Sequence, residues 1–179
     1  MKKRLAAVLL LALCVVFSAT ANAAETAGAP RIATATNNTI AVSNSTQEPD
    51  AHLVHPAVYK IDGFNYFRLR DLAMILNGSE KQFAVDYDPV SKNVLITTGK
   101  PYVPAGDELT GAAREKSSAV YSDNAVLIDG ESVMLTAFKI DGYNYFRLQD
   151  LGRALDFHVG YSDETKTVFL SGAKGYEGD

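Results

Sequence analysis

One stretch of this chain occurs twice, and that duplication restricts the fold to two similar units. Val58 to Asn77 (VYKIDGFNYFRLRDLAMILN) aligns with Ala137 to Asp156 (AFKIDGYNYFRLQDLGRALD) at a constant offset of 79, with 12 identities in 20 positions. The likeness continues from Phe83-Ala-Val-Asp-Tyr87 to Phe157-His-Val-Gly-Tyr161, and from Lys92 to Thr97 onto Lys166 to Ser171, once Gly78 to Gln82 is taken as an insertion in the first copy. Residues 39–99 and 119–174 are therefore read as two copies of one module. Residues 100–118 (KPYVPAGDELTGAAREKSS), rich in Pro, Gly and small polar types, read as a linker. Residues 24–38 read as a flexible leader of the same character and 175–179 as a short tail.

The second copy shows the elements most clearly. Ala125 to Ile128 and Ser132 to Ile140 are β-rich runs joined by Asp129-Gly130, and Asp141-Gly142 leads into Tyr143 to Leu148; Asp-Gly between such runs signals a hairpin. A three-residue loop with Gly142 as a G1 bulge is favoured over a two-residue turn. It places Phe138, Phe146 and Leu148 on one face and Lys139, Tyr145 and Arg147 on the other. In the first copy the same reading buries Tyr59, Phe67 and Leu69 and exposes Lys60, Tyr66 and Arg68. Leu69, Leu72, Ala73 and Leu76, like Leu148, Leu151, Gly152 and Leu155, have the spacing of one helical face. Asp71 and Asp150 fall in the first turn of each helix, and Asn77-Gly78 supplies a stop. Two further strands follow, carrying Phe83, Val85, Tyr87 and Val94, Ile96 in one copy and Phe157, Val159, Tyr161 and Val168, Leu170 in the other. The expected fold is α+β: two tandem copies of a mostly antiparallel five-stranded β-sheet, each wrapped on one short α-helix. A longer loop is expected at Ser43 to Asp50, where the first copy lacks the Asp-Gly turn.

The extreme N-terminus has a separate character. Lys2, Lys3 and Arg4, the apolar run Leu5 to Phe17, and Ala21-Asn22-Ala23 form the three regions of a secretory signal peptide over residues 1–23. The run is shorter than the roughly 20 apolar residues a membrane span needs. The mature protein is therefore expected outside the cytoplasm, secreted or held in the cell envelope. Cleavage removes three of 17 basic residues and leaves all 21 acidic ones, so the net charge becomes 14 minus 21, or −7. Such a surface disfavours nucleic acid, acidic lipid and teichoic acid, which are bound by clustered cations. Cys14, the sole cysteine, leaves with the signal, so neither a disulfide nor thiolate chemistry is expected.

The segments KIDGFNYFRLRDLA and KIDGYNYFRLQDLG, each followed by an aromatic-rich strand and a closing hairpin, resemble the copper amine oxidase N-terminal, or stalk, domain. That family is common in secreted and envelope proteins of Gram-positive bacteria. Tyr66, Leu69, Arg70 and Leu72 stand where its tyrosine, leucine, arginine and apolar helix fall; Gln149 replaces the arginine in the second copy. The resemblance implies a sheet-on-helix fold in an envelope setting, with no catalytic residues and no cofactor. The oxidase copper and quinone belong to a separate catalytic domain to which nothing here corresponds.

No chemical constellation competes with that reading. Asn65-Tyr66 and Asn144-Tyr145 lack the acidic residue that follows the cofactor tyrosine of the oxidases, having Phe67 and Phe146 instead. His52-x-x-His55 reads as solvated polar residues, and Asp86-x-Asp88 with Ser91 and Asn93 as hairpin-turn chemistry lacking the Gly and distal Glu of a calcium loop. His158 has no Ser or Cys nucleophile to serve, and Asp62 and Asp141 are explained by their Asp-Gly turns. The expectation is a secreted, non-catalytic stalk or binding module of the cell envelope, acting as a spacer or in adhesion, without metal or cofactor. Its candidate binding surface is the aromatic and cationic stripe Tyr66, Arg68, Tyr145 and Arg147, which serves either a ligand or the packing of one module on the other. Cell-wall glycan or an envelope protein is the expected partner, with self-association an alternative. A secreted inhibitor acting through Ser43 to Asp50 or Gly78 to Gln82, and more remotely a small hydrolase using His158, are the competing functions.

Overall fold

The computed structural model describes residues 29–45 and 51–178; the expected signal peptide, residues 24–28 of the expected leader and most of the Ser43 to Asp50 loop lie outside them. The first copy runs β1 (Arg31–Ala35), β2 (Thr39–Ser43), β3 (His52–Val54), β4 (Val58–Ile61), β5 (Phe64–Arg68), α1 (Leu69–Ile75), β6 (Phe83–Asp88) and β7 (Asn93–Thr98). The second repeats the series as β8 (Lys116–Tyr121), β9 (Val126–Ile128), β10 (Glu131–Val133), β11 (Ala137–Ile140), β12 (Tyr143–Arg147), α2 (Leu148–Leu155), β13 (His158–Ser162) and β14 (Thr167–Ser171). The protein is α+β, mostly strand with two short helices.

The strands of the two copies are interleaved. Three from each close one six-stranded barrel in the order β1-β4-β5-β12-β11-β8. The β2–β3 hairpin of the first copy joins β13–β14 of the second, and β9–β10 of the second joins β6–β7 of the first, giving two four-stranded sheets. In these two sheets the joints between copies, β14 to β2 and β7 to β9, are parallel; the barrel joints β5 to β12 and β1 to β8, and every other pairing, are antiparallel. This corrects the expectation of one five-stranded sheet per copy. Local patterning shows which residues form strands, but it does not say which copy supplies the neighbouring strand.

The hairpin register also differs from the expected one. Ile140 pairs with Tyr143 and Ile61 with Phe64, so both Asp-Gly loops have two residues and no bulge. Both loop residues take positive φ (Asp141 49°, Gly142 90°; Asp62 49°, Gly63 90°), which is the type I′ turn whose twist suits a tight hairpin. Asp129-Gly130 turns the same way between Ile128 and Glu131. Phe138 therefore shares a face with Tyr145 and points into the barrel, while Phe146 lies opposite, in the other core. The bulge would segregate apolar from polar residues on a sheet with one solvated face. Phe67 and Phe146 face outward from the barrel yet are buried in the second core, so apolar side chains occupy both faces of these strands and segregation no longer selects the register.

Two apolar cores result. The barrel interior holds Tyr59, Tyr66, Phe138 and Tyr145 with Ile61 and Ile140, and Ala33 and Ala119 of β1 and β8 leave room for the rings. Pairs of rings meet edge to face, Tyr59 with Tyr145 at 5.2 Å and Tyr66 with Phe138 at 5.4 Å. The second core lies between the barrel, the helices and the two sheets. Leu69, Leu72, Ala73 and Leu76 of the first copy and Leu148, Leu151 and Leu155 of the second are buried in it, as their spacing predicts. Helices this short are marginal alone and persist because one stripe is buried.

Two segments read as loose are part of the framework. Arg31–Ala35, placed in the flexible leader, is β1; it pairs with both β4 and β8 and closes the barrel. Its alternation of Ile32 and Thr34 with alanines suits a strand, but only the barrel supplies its partners. The 100–118 linker is likewise ordered: it ends in β8, and before that it crosses α1 as a strap, with Tyr102 buried.

Candidate functional site

The tyrosines of the expected stripe do not face solvent. Tyr66 and Tyr145 are 3% and 5% exposed, inside the barrel. Burial raises both hydroxyls, that of Tyr66 to about 12, so each stays protonated in any physiological setting. They form the packing of one copy on the other, the second of the two roles open to them.

The two arginines cross the interface between copies. Arg68 lies 4.8 Å from the ring centre of Tyr143, and Arg147 lies 3.7 Å from that of Phe64, so each covers the aromatic residue beside the other copy's Asp-Gly turn. Their own partners differ. Arg68 is buried and saturated: Nε donates to Asp71 Oδ1 at 2.9 Å, Nη2 to the same oxygen and to the Asp107 carbonyl, and Nη1 to Asp107 Oδ2 at 3.3 Å. Burial opposes its charge, yet Asp71 and Asp107 outweigh burial and raise the guanidinium further. Among the described residues Arg147 has one carboxylate, Asp150, 3.7 Å from Nε, and that Nε has no hydrogen-bond partner.

The strap accounts for the asymmetry, since it brings Asp107 to Arg68, and among the described residues no strap carboxylate reaches Arg147. Asn77 grips the strap by accepting from Tyr102 N–H and donating to Tyr102 C=O, both at 3.0 Å. Leu109 N–H donates to Asp71 at 3.0 Å. Glu108 organises the turn, accepting from Tyr102 Oη and from the amides of Ala105 and Gly106. Burial tends to raise its carboxyl, but those three donors prevail and hold it down at about 2, from an ordinary 4.5. A lowered acid contributes stability above its unfolded pKa and loses it as pH falls through the folded one. The strap should therefore loosen between about pH 4.5 and 2. In nuclear magnetic resonance titrations the Ala105 and Gly106 amides should shift with a midpoint near 2, and Glu108→Gln should remove that transition; a midpoint above 4 contradicts the assignment.

Beside Arg68 lies a cleft of about 570 Å³, built across the copies from β5, α1, β6 and β7 of the first and the Asn124 and Asp141-Gly142 turns of the second. Tyr87 and Tyr143 line it, 46% and 42% exposed. Among them stand Arg70, Lys139, Asp86 and the amides of Asn124 and Asn144. Ser122 Oγ lies within hydrogen-bond reach of both amide oxygens, at 3.0 and 3.3 Å, and Asn124 Nδ2 donates to the Lys92 carbonyl. Arg70 lies 3.8 Å from Asp107, whereas Lys139 makes no ion pair among the described residues. Of the expected stripe, only Arg68 lines this cleft. Tyr87 lies on the strand its alternation with Phe83 and Val85 predicts, and it is exposed there, as is its repeat counterpart Tyr161.

The residues weighed for catalysis remain scattered. His52 is on β3, His55 follows it, and His158 opens β13 with Nδ1 3.9 Å from Glu177. Asp88 accepts from Val90 N–H and Ser91 Oγ, which is turn chemistry. No group of three or more His, Cys, Asp or Glu able to hold a metal occurs among the described residues. Comparison of the chain with protein-family models, with curated proteins and with solved structures returned no match.

Proposed function

We propose that this is a non-catalytic, extracytoplasmic saccharide-binding protein of the cell envelope, and that the cleft at Tyr87 and Tyr143 is its binding site. The observation that carries the reading is the pairing of two exposed aromatic rings with planar amides and cations in one open cleft. Aromatic faces stack against the C–H faces of sugar rings, and amides, guanidinium and ammonium groups hydrogen-bond the hydroxyls around them. The basic, apolar and small-residue series at residues 1–23 supports the envelope setting, as does the resemblance to the stalk domain of the copper amine oxidase family. In that setting the barrel and paired sheets act as a rigid mount for the cleft.

The test is retention of the mature protein on purified peptidoglycan. Tyr87→Ala removes an exposed ring without touching either core, and it should weaken retention about tenfold, the loss of roughly 1.4 kcal/mol expected for one anchoring aromatic. Lys139→Ala should weaken it by a smaller factor. Equal retention of all three proteins would exclude the cleft; retention on envelope protein instead of glycan would reassign the partner.

A further inference from the structure

The registers of the barrel make the molecule nearly two-fold symmetric. Phe67 pairs with Phe146, its own counterpart in the repeat, and Tyr66 pairs with Arg147 as Tyr145 pairs with Arg68. The parallel joints match too, Val94 meeting Val126 where Val168 meets Ile40. What lies beside Arg68 on one side therefore recurs beside Arg147 on the other. The counterparts of Tyr87, Lys139, Asn124 and Asn144 are Tyr161, Lys60, Asn38 and Asn65. Asn38 Nδ2 donates to Asn65 Oδ1 at 3.4 Å, tying the two amides as Ser122 ties theirs. A recess of about 470 Å³ on this side is lined by Asn38, Lys60, Asp62 and Gly63. Tyr161, the counterpart of Tyr87, does not line it but is likewise a surface ring, 47% exposed.

The two sides differ in charge. Gly160 stands where the first cleft has Asp86, Gln149 where it has Arg70, and Phe64 where it has Tyr143. Among the described residues no strap carboxylate reaches Arg147, whose buried Nε lacks a hydrogen-bond partner, and Lys60 makes no ion pair. Asp62, at the edge of the recess, is paired with Arg31 at 3.3 Å, and Asp150 accepts from Thr136 N–H. This side thus presents Lys60 uncompensated among the described residues, beside an Arg147 whose one carboxylate is Asp150. An anion is the complement it lacks.

We propose that the pseudo-two-fold axis gives the chain a second saccharide site, built on Asn38 and Lys60 of the recess with Tyr161, the counterparts of Asn124, Lys139 and Tyr87, and that this site takes a carboxylate-bearing sugar. The proposal rests on the saccharide reading of the first cleft. With both occupied, the protein is bivalent and holds a long glycan at two points, which raises avidity without new contacts.

Titration calorimetry of the full mature chain with two probes tests it: the neutral tetrasaccharide of N-acetylglucosamine, and the tetrasaccharide alternating N-acetylglucosamine with glucuronate. The acidic probe should bind twice per chain and the neutral probe once. Tyr161→Ala, a surface change whose fold is checked by circular dichroism, should reduce the acidic stoichiometry from two to one and leave the neutral isotherm unchanged. Tyr87→Ala should abolish neutral binding and leave one acidic site, and Lys60→Ala should weaken the remaining site severalfold. A single acidic site insensitive to Tyr161→Ala overturns the second site and leaves the first standing. Two sites of equal affinity for both probes overturn the carboxylate preference. No binding of either probe overturns the underlying function as well.

Discussion

Asp71→Ala should destabilise the protein by about 3–5 kcal/mol, whereas Asp150→Ala, the same change at the repeated position, should cost about 1 kcal/mol. Asp71 is 1% exposed, and one of its oxygens accepts from Arg68 Nε, Arg68 Nη2 and Leu109 N–H. Its loss leaves a buried guanidinium short of its principal counter-charge and releases the strap that brings Asp107. Asp150 has a half-exposed arginine at 3.7 Å and one amide at 3.3 Å, so little is orphaned when it goes. For a domain of this size the first change should lower the melting temperature by roughly 10 °C and the second by a few degrees. Urea unfolding followed by circular dichroism reads both. Replacing the pair together, as Arg68→Met/Asp71→Leu, should cost less than Asp71→Ala alone, because a buried charge left unpaired is worse than none. Equal costs at Asp71 and Asp150 would mean that the strap contributes nothing. Since Arg68 also lies against Tyr143, Asp71→Ala should loosen one wall of the first cleft and weaken peptidoglycan retention even in the cold.

The parts of this arrangement visible in the sequence are those set by short-range pattern. Leu69, Leu72, Ala73 and Leu76 announce a helix by spacing alone, and Asp129-Gly130 and Asp141-Gly142 announce hairpins because two adjacent positive φ angles favour those residue types. What escaped depends on closure. Tyr66 and Tyr145 look like surface residues in any sheet with one solvated face, and they are buried because β1 and β8 complete a ring around them. Arg31–Ala35 carries a weak strand signal since its role is to be small, Ala33 fitting beneath the tyrosines. The candidate site was lost for the same reason. Its walls come from residues near 70, 87, 124 and 143, which only the exchange of hairpins between copies brings together.

That exchange leads to the second large effect: neither half of the molecule should fold as a monomer. Residues 29–115 produced alone would lose β9 from beside β7 and β14 from beside β2, together with three of six barrel strands. Residues 116–178 alone would lose the corresponding partners. Val94 and Ile96 would lie at an open edge without Val126 and Ile128, and the tyrosine core would face water on one side. Short sheets with unpaired edges and a divided core are not stable in isolation. Each half should therefore give a broad, non-cooperative thermal response at micromolar concentration, while an equimolar mixture should recover the circular dichroism and sharp transition of the intact chain. Because the axis relates each half to the other, any folded material from one half alone should sediment as a dimer, a second copy supplying the missing hairpin and barrel strands. In the intact protein the strap makes this pairing intramolecular, with an effective concentration of order millimolar. A cooperatively unfolding monomer of either half would show that the copies are independent modules, and would leave the cleft between them without a fixed geometry.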